Sequence, residues 1–500
     1  MPPKSLLFLF SLTICAQTPN RAWTNIGRDA QHAANAPVKA KTLKRIRWQT
    51  PVDLAPQLSG SDLLIHYGSP LITQDNTVIV PVKTGAMGGY RVEAHKGSDG
   101  SLQWMLSSDW VAAPHNWTPS FAPALTSHQR LFIPAEGGTV LYRNQPGSAT
   151  GATGRLAFFG LSNYNANPAA YNSTVMISTP IMADSAGDIY FGFYVTGSNP
   201  SNLQGGIARI DASGHGTWIS ATAAAQDAGI SQVVLNCAPA FSMDQQTVYI
   251  TVGQGADFSA GYLVALDATT LQPKARVLLK DPESGSNSLL LSDGSTSPTV
   301  GPDGDVFIGV LENPFPENND RGWELHFDST LSQAKTPGAF GWDDTPSIVP
   351  AGMVPSYTGA STYLLMSKYN NYAGVGTGDG VNKIAILDPH ATEVDPITAV
   401  ITMKEILTHA GVTADPDWRP QFPHAVKEWC INSAAVDPAS KSILANSEDG
   451  TLYRWDLTTN RFTQRIVLTQ GIGEAYTPTL VGPDGTVYAI NNSILFAVGE

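Results

Sequence analysis

The chain is short of cysteine, of basic charge and of long apolar runs, and each shortage excludes something. Three cysteines, Cys15, Cys237 and Cys430, cannot build a disulfide scaffold or a cysteine-rich metal site. Lys and Arg number 29 against 42 Asp and Glu, a net charge of −13. That balance argues against a nucleic-acid partner, whose binding proteins carry a basic footprint. Charged residues are only 14% of the chain while 42% is apolar, too much hydrophobe and too little charge for disorder. Beyond the N-terminus no run approaches the roughly 18 apolar residues that a transmembrane helix needs. Helical patterning is nearly missing as well; Ile401–Ala410 and Ala221–Ala228 are the stretches that read as helix. Turn formers are abundant instead, with 46 glycines and 35 prolines.

The N-terminus has a leader's layout. Lys4 precedes the apolar run Leu6–Ile14, and Ala16 precedes the polar Gln17-Thr18-Pro19-Asn20. A charged start, a short apolar stretch and a small residue at the cut predict a signal peptide over residues 1–16, cleaved after Ala16, and hence secretion or a periplasmic location. A lipid anchor on Cys15 is disfavoured by the bulky Ile14 before it. The mature chain keeps Cys237 and Cys430, either paired or as two buried thiols; Cys is often a core residue, which favours the second.

The rest repeats. Ser297-Pro298-Thr299-Val300-Gly301-Pro302-Asp303-Gly304-Asp305-Val306-Phe307 matches Thr477-Pro478-Thr479-Leu480-Val481-Gly482-Pro483-Asp484-Gly485-Thr486-Val487-Tyr488. Looser copies start at Ser69-Pro70, Ala122-Pro123, Thr179-Pro180 and Ala238-Pro239, and degenerate ones near Pro346 and Ser433. They are mostly spaced roughly 45–60 residues apart, the range of radial repeat folds. In each unit two short strands meet at a Gly/Asp turn, and a third strand reaches a fourth through another, as in Leu263–Asp267 before Ala268-Thr269-Thr270. Four strands per unit, repeated radially, predict an all-β fold: a single propeller of eight four-stranded blades, with seven still open because two copies are degenerate. The last unit offers only three strands before the chain ends. Arg45-Ile46-Arg47-Trp48-Gln49-Thr50 is the orphan fourth and should close the ring. The organisation is then a leader (1–16), an N-terminal extension (17–44) and a propeller (45–500). The sequence leaves the oligomeric state open, though a closed ring has few exposed edges and can stand alone as a monomer.

These units resemble the repeats of the pyrroloquinoline-quinone (PQQ) type propellers, the quinoprotein alcohol dehydrogenase-like superfamily, whose blade motif runs Ala-x-Asp-x-x-Thr-Gly-x-x-x-Trp. Ala94, Gly100 and Trp104 match it in register, as do Ala265, Asp267 and Thr270 in another blade. Trp23-Thr24-Asn25-Ile26-Gly27-Arg28-Asp29-Ala30-Gln31-His32 resembles the entry segment of such proteins. The resemblance covers about residues 22–500 and implies an architecture; for an enzyme it would imply PQQ and Ca²⁺ as cofactors. The family's adjacent Cys-Cys pair and the Cys-x-x-Cys-His of its haem-bearing members are both missing from the sequence.

Propeller geometry points to a place for a site. The loop after each second strand and the loop before each first strand open on one face, around the channel mouth. The second-strand ends are Lys83, Glu136, Tyr194, Gln254, Glu312, Lys368, Glu448 and Asn491; the companion ring includes His66, Tyr67, His115, Asp344, Trp429 and Tyr476. The candidate ligand-binding set is His66, Lys83, His115, Glu136, Glu312, Lys368, Tyr369 and Asn370. The plainer expectation is that Lys83 pairs with Glu136 and Lys368 with Glu312, holding blades in register. No metal site is expected; Gly376–Asn382 has oxygen-rich spacing but reads as a flexible glycine turn. The leading functional expectation is a non-catalytic binding or scaffold propeller for a protein or polysaccharide. A divergent PQQ/Ca-dependent dehydrogenase is the first alternative. A polysaccharide lyase is the second, and it requires His66, His115, Tyr369 and Lys368 to converge on one cleft.

Overall fold

The computed structural model describes residues 20–500, apart from 60, 61, 64, 116, 118, 292–295 and 472–475. The expected leader and its cleavage site lie outside the described residues. Eight antiparallel blades follow one another around a ring. The inner strands begin at Leu71, Ala124, Met182, Ala240, Thr299, Ser347, Ala435 and Leu480, where the sequence repeats placed them. Blade 5 has three regular strands, Thr299–Val300, Val306–Val310 and Trp323–Phe327; its fourth place is held through the isolated bridges Glu324↔Gly338 and Phe327↔Ala334.

In blade 4 the second and third strands, Thr247–Gly253 and Gly261–Asp267, are buried almost throughout, whereas most of the outer strand, Pro273–Leu278, alternates. This follows from stacking: a middle strand has a blade on each face, and an outer strand has solvent along one edge. Ring closure occurs as the orphan strand required. Arg45–Pro51 pairs antiparallel with Ile494–Gly499, and Trp48 packs against His95 and Tyr488 while its indole N–H donates to the Gly97 carbonyl at 3.1 Å. Gly100 cannot carry a side chain there, because a Cβ would meet the Trp48 ring at 2.7 Å.

One helix expectation is overturned. Ile401–Ala410 is the outer strand of blade 6, paired with Lys383–Val394 from Lys383↔Ala410 to Val394↔Ile401. Its apolar positions satisfied a helical period, but pairing with a free strand edge decided the conformation. The Ala-rich stretch is helical over Ala221–Ala225, capped by the Ser220 hydroxyl accepting from the Ala223 N–H. Two further short helices, Leu161–Ala166 and Pro168–Asn172, fill the approach to blade 3. Cys237 and Cys430 are free and buried, as the second reading of the thiols held.

Residues 23–41 form a belt inside the ring. The belt touches the blades in chain order. Trp23 exchanges two backbone hydrogen bonds with Ile72 of blade 1, and the Leu125 N–H of blade 2 donates to Thr24. The Asn25 side chain bridges Ala183 of blade 3, accepting its N–H at 2.9 Å and donating to its carbonyl at 3.1 Å. Phe241, Val300, Ile348 and Val436 then donate to the carbonyls of Ala30, Gln31, Ala33 and Ala34, and the Lys41 N–H reaches Gly485 in blade 8. In blades 1–7 the contacted residue is the second of the inner strand. Inner strands are edge strands facing the channel, and the belt satisfies N–H groups that would otherwise be buried unpaired. A circle this tight needs left-handed residues: Gly27, Arg28, His32 and Ala34 all have φ between 56° and 78°. The belt fills the channel at the end where inner and second strands are joined, leaving the opposite end as the mouth.

Candidate functional site

Lys368 stands at the end of the second strand of blade 6, Tyr363–Tyr369, and its ammonium is buried at the mouth. It pairs with Asp343 of the loop entering the same blade. The rings of Phe340 and Tyr476 lie 5.6 and 5.4 Å from it. The expected Lys368–Glu312 pair is not formed. The Glu312 carboxylate instead accepts the backbone N–H groups of Asp320 and Gly322, both at 2.7 Å, and shapes a loop of blade 5.

Three rings from three blades meet beside Lys368. His66 of blade 1, Trp117 at the entry to blade 2 and Tyr476 at the entry to blade 8 have centroids 5.4–5.7 Å apart. His66 is buried and its Nδ1 has no hydrogen-bond partner. Burial, helped by the positive charge of Lys368, pushes its pKa down to about 4, so the imidazole is neutral at physiological pH.

Around these groups the mouth is acidic. Burial, then the negative charge of Glu312, pushes Asp320 up to about 7, and burial pushes Asp344 to about 7. In blade 7 Glu428 and Glu448 are both raised, by burial first; Glu428 is raised further by Glu448 beside it. The Cys430 thiol donates to Glu448 at 3.2 Å, and Lys427 lies 3.9 Å from the same carboxylate.

Off the axis, a cleft of about 180 Å³ opens between blades 1 and 2 on the mouth face. Lys83, Tyr90, Trp110, His115, Gln57 and Met87 line it. The ammonium of Lys83 is held by both oxygens of Asp53 at 3.2 Å and by the Ala55 carbonyl at 2.8 Å, so the expected Lys83–Glu136 pair is not formed either. Glu136 sits on a short 3₁₀ turn and accepts from the Tyr164 hydroxyl at 3.3 Å. Two of its lining residues are exposed apolar ones, Val111 and Met87, Met87 almost completely.

The candidate set therefore divides. Lys368 and His66 share the central mouth, and Lys83 and His115 share the side cleft. Asn370 links blades 6 and 7, accepting the Trp429 N–H at 3.2 Å. Tyr369 points the other way, into the core beside Phe340 with Arg321 over its ring, because neighbours on a strand face opposite sides. With Tyr369 in the core and His115 in the cleft, the four residues required for a lyase do not converge. Asp53, Asp343, Trp117 and Glu428 were not foreseen. Asp53 lies in the link between the closing strand and blade 1, outside every repeat unit. Asp343 adjoins Asp344, which the loop-before-first-strand rule does select.

A PQQ site would need cations for a tricarboxylate quinone. Lys83, Lys368 and Lys427 each already have carboxylate partners, and Asp320, Asp344, Glu428 and Glu448 add carboxyl groups, not cations. The described residues of the mouth do not fit that group.

No family model matches the chain, and no curated protein matches it by sequence. Solved structures do match. A europium-containing methanol dehydrogenase superposes with a TM-score of 0.55 at 10% identity, over 95% of this chain and 89% of that one. A quinohemoprotein alcohol dehydrogenase from Comamonas testosteroni gives 0.56 at 11%, over 97% and 82%. The quinohemoprotein alcohol dehydrogenase ADHIIG from Pseudomonas putida HK5 gives 0.52 at 12%, over 96% and 76%. At such identities the likeness concerns architecture. With eight blades, a closing N-terminal strand and this superposition, the chain has the fold of the quinoprotein alcohol dehydrogenase-like propellers.

Proposed function

We propose that this is an exported, non-catalytic binding propeller whose mouth face receives a protein partner. The observation that carries the reading is the side cleft. It combines an aromatic floor, where Tyr90 and Trp110 meet edge to face at 4.8 Å, with the exposed apolar side chains of Met87 and Val111 at its edge. Exposed apolar groups gathered around a concave aromatic site favour a partner's apolar side chain over a sugar. The leader read from the sequence supports export. The mouth's misfit to a tricarboxylate weighs against the dehydrogenase alternative.

The test has two arms. Mature protein is titrated calorimetrically with PQQ, with and without Ca²⁺, and assayed for dye reduction on alcohols and sugars; neither binding nor turnover is expected. In the second arm a photo-crosslinking residue replaces Met87, or Lys274 on an outer strand, in the producing cell. One discrete adduct at 87 and none at 274 is expected. Ca²⁺-dependent PQQ binding with turnover, or equal labelling at both positions, would overturn the reading.

A further inference from the structure

We infer that Asp303, Asp305 and His390 form a binding site for a divalent transition metal of the zinc class, joining blades 5 and 6 on the face opposite the mouth. The two best-matched turns, Gly301–Asp305 in blade 5 and Gly482–Thr486 in blade 8, share Gly-Pro-Asp-Gly and differ in what surrounds the aspartate. In blade 8 Asp484 is neutralised by permanent cations, Lys41 at 2.7 Å and Arg47 at 3.3 Å, and the next-but-one residue is Thr486. In blade 5 Asp303 meets an imidazole instead, His390 Nε2 at 3.0 Å, and the next-but-one residue is a second carboxylate, Asp305. The turn has exchanged two fixed charges for a set of metal-ligating groups.

His390 is placed by a bulge. The pairing of Lys383–Val394 with Ile401–Ala410 runs to Asp388↔Lys404 and resumes at Thr392↔Met403, so residues 389–391 stand out from the sheet towards blade 5. The His390 backbone N–H donates to Asp388 at 3.0 Å, and the Tyr363 ring packs edge-on against the imidazole at 5.6 Å. One donor atom from each of Asp303, Asp305 and His390 lies within 4.8 Å of the others. Ligand bonds to zinc of about 2.0–2.2 Å put two donors on one tetrahedral ion roughly 3.3–3.6 Å apart, so small side-chain adjustments suffice.

The surrounding residues orient the ligands. The Tyr363 hydroxyl donates to Asp303 Oδ1 at 2.9 Å, leaving Oδ2 towards His390. Fully buried His326, stacked on Phe307, lies 2.9 Å from Asp305 Oδ2 and fixes that carboxylate from behind. Lys335 also holds Asp305, at 2.6 and 2.5 Å. It is one-third exposed and can turn into solvent when an ion takes its place. An imidazole with two carboxylates suits zinc or cobalt better than Ca²⁺, which takes six to eight oxygens. Asp303 and His390 are more than a third exposed, so the remaining coordination position faces solvent.

The test is calorimetric titration of EDTA-treated, dialysed protein with ZnCl₂, with thermal unfolding followed in parallel. One-to-one binding at micromolar Kd or tighter is expected, weakened at least tenfold in His390→Ala and in Asp303→Asn. Lys335→Ala removes a competing cation and should tighten it. Zinc should raise the Tm of the wild type and not of His390→Ala. Because His390 lies near the surface, the variant's metal-free Tm should match wild type, separating lost binding from lost folding. Glu428, Cys430 and Glu448 also bring three donors within 4.8 Å, so Cys430→Ser is the control. Zinc binding that is absent, that survives His390→Ala, or that vanishes in Cys430→Ser overturns the assignment.

Discussion

Removing the Asn25 side chain is the sharpest test of the belt. Asn25 is 3% exposed and stands in for a β-bridge, pairing both backbone groups of Ala183. Asn25→Ala leaves a buried N–H and a buried carbonyl without partners. Each such group costs about 1–3 kcal/mol, so the pair costs about 2–6; partial hydration of the small void favours about 3 kcal/mol. Unfolding entropy near 2.1 cal/mol/K per residue makes that about 3 °C in Tm for a chain of this size. Asn25→Asp separates hydrogen bonding from packing. Its carboxylate can accept the Ala183 N–H but, ionised, has no proton for the carbonyl, so its folded pKa is raised above the unfolded value of about 3.9. A raised folded pKa gives stability that is full below the unfolded pKa and lost as pH rises through the folded one. Relative to wild type, Asn25→Asp should therefore be milder near pH 4 than near pH 8, while Asn25→Ala shows no such trend. Thermal melts at both pH values, with hydrogen exchange of a peptide spanning Ala183, measure this. A loss under about 0.5 kcal/mol with unchanged exchange at Ala183, or identical pH trends for the two variants, would refute the docking of the belt.

Three further outcomes follow. Trp48→Ala should cost about 3–5 kcal/mol, the usual range for emptying a buried aromatic site, and increase exchange in Ile494–Gly499 before other strands; uniform exchange would argue against a latch. The raised carboxylates Asp320, Asp344 and Glu428 keep protons in the folded state that the unfolded chain has released, so wild-type Tm should fall between about pH 5 and 8. Glu428→Gln should flatten that fall, and an unchanged slope would show that Glu428 does not contribute. Cys237, pushed up to about 11 by burial, and Cys430 should both resist a thiol reagent in native protein and react in denaturant; prompt native labelling of Cys237 would contradict its burial.

The sequence by itself determined the architecture. Turn chemistry such as Pro302-Asp303-Gly304 and Pro483-Asp484-Gly485 is local, and it recurs because every blade solves the same packing problem. The repeats therefore placed the inner strands, and the missing fourth strand of blade 8 identified Arg45–Pro51 as the closing one. The face that could hold a site was legible too, since strand order fixes which loops share an end. What only the tertiary structure decided were the partners across blades. Lys83 takes Asp53 and Lys368 takes Asp343, each from a linking loop whose path no repeat specifies. Lys368 and Tyr369, adjacent in sequence, face opposite environments once the strand is in place. Ile401–Ala410 became a strand because an edge was waiting for it, and residues 23–41 became a belt because eight inner edges were. Local sequence sets turns and strands; which charge meets which, and which free edge is filled, depends on distances that exist only after the ring has closed.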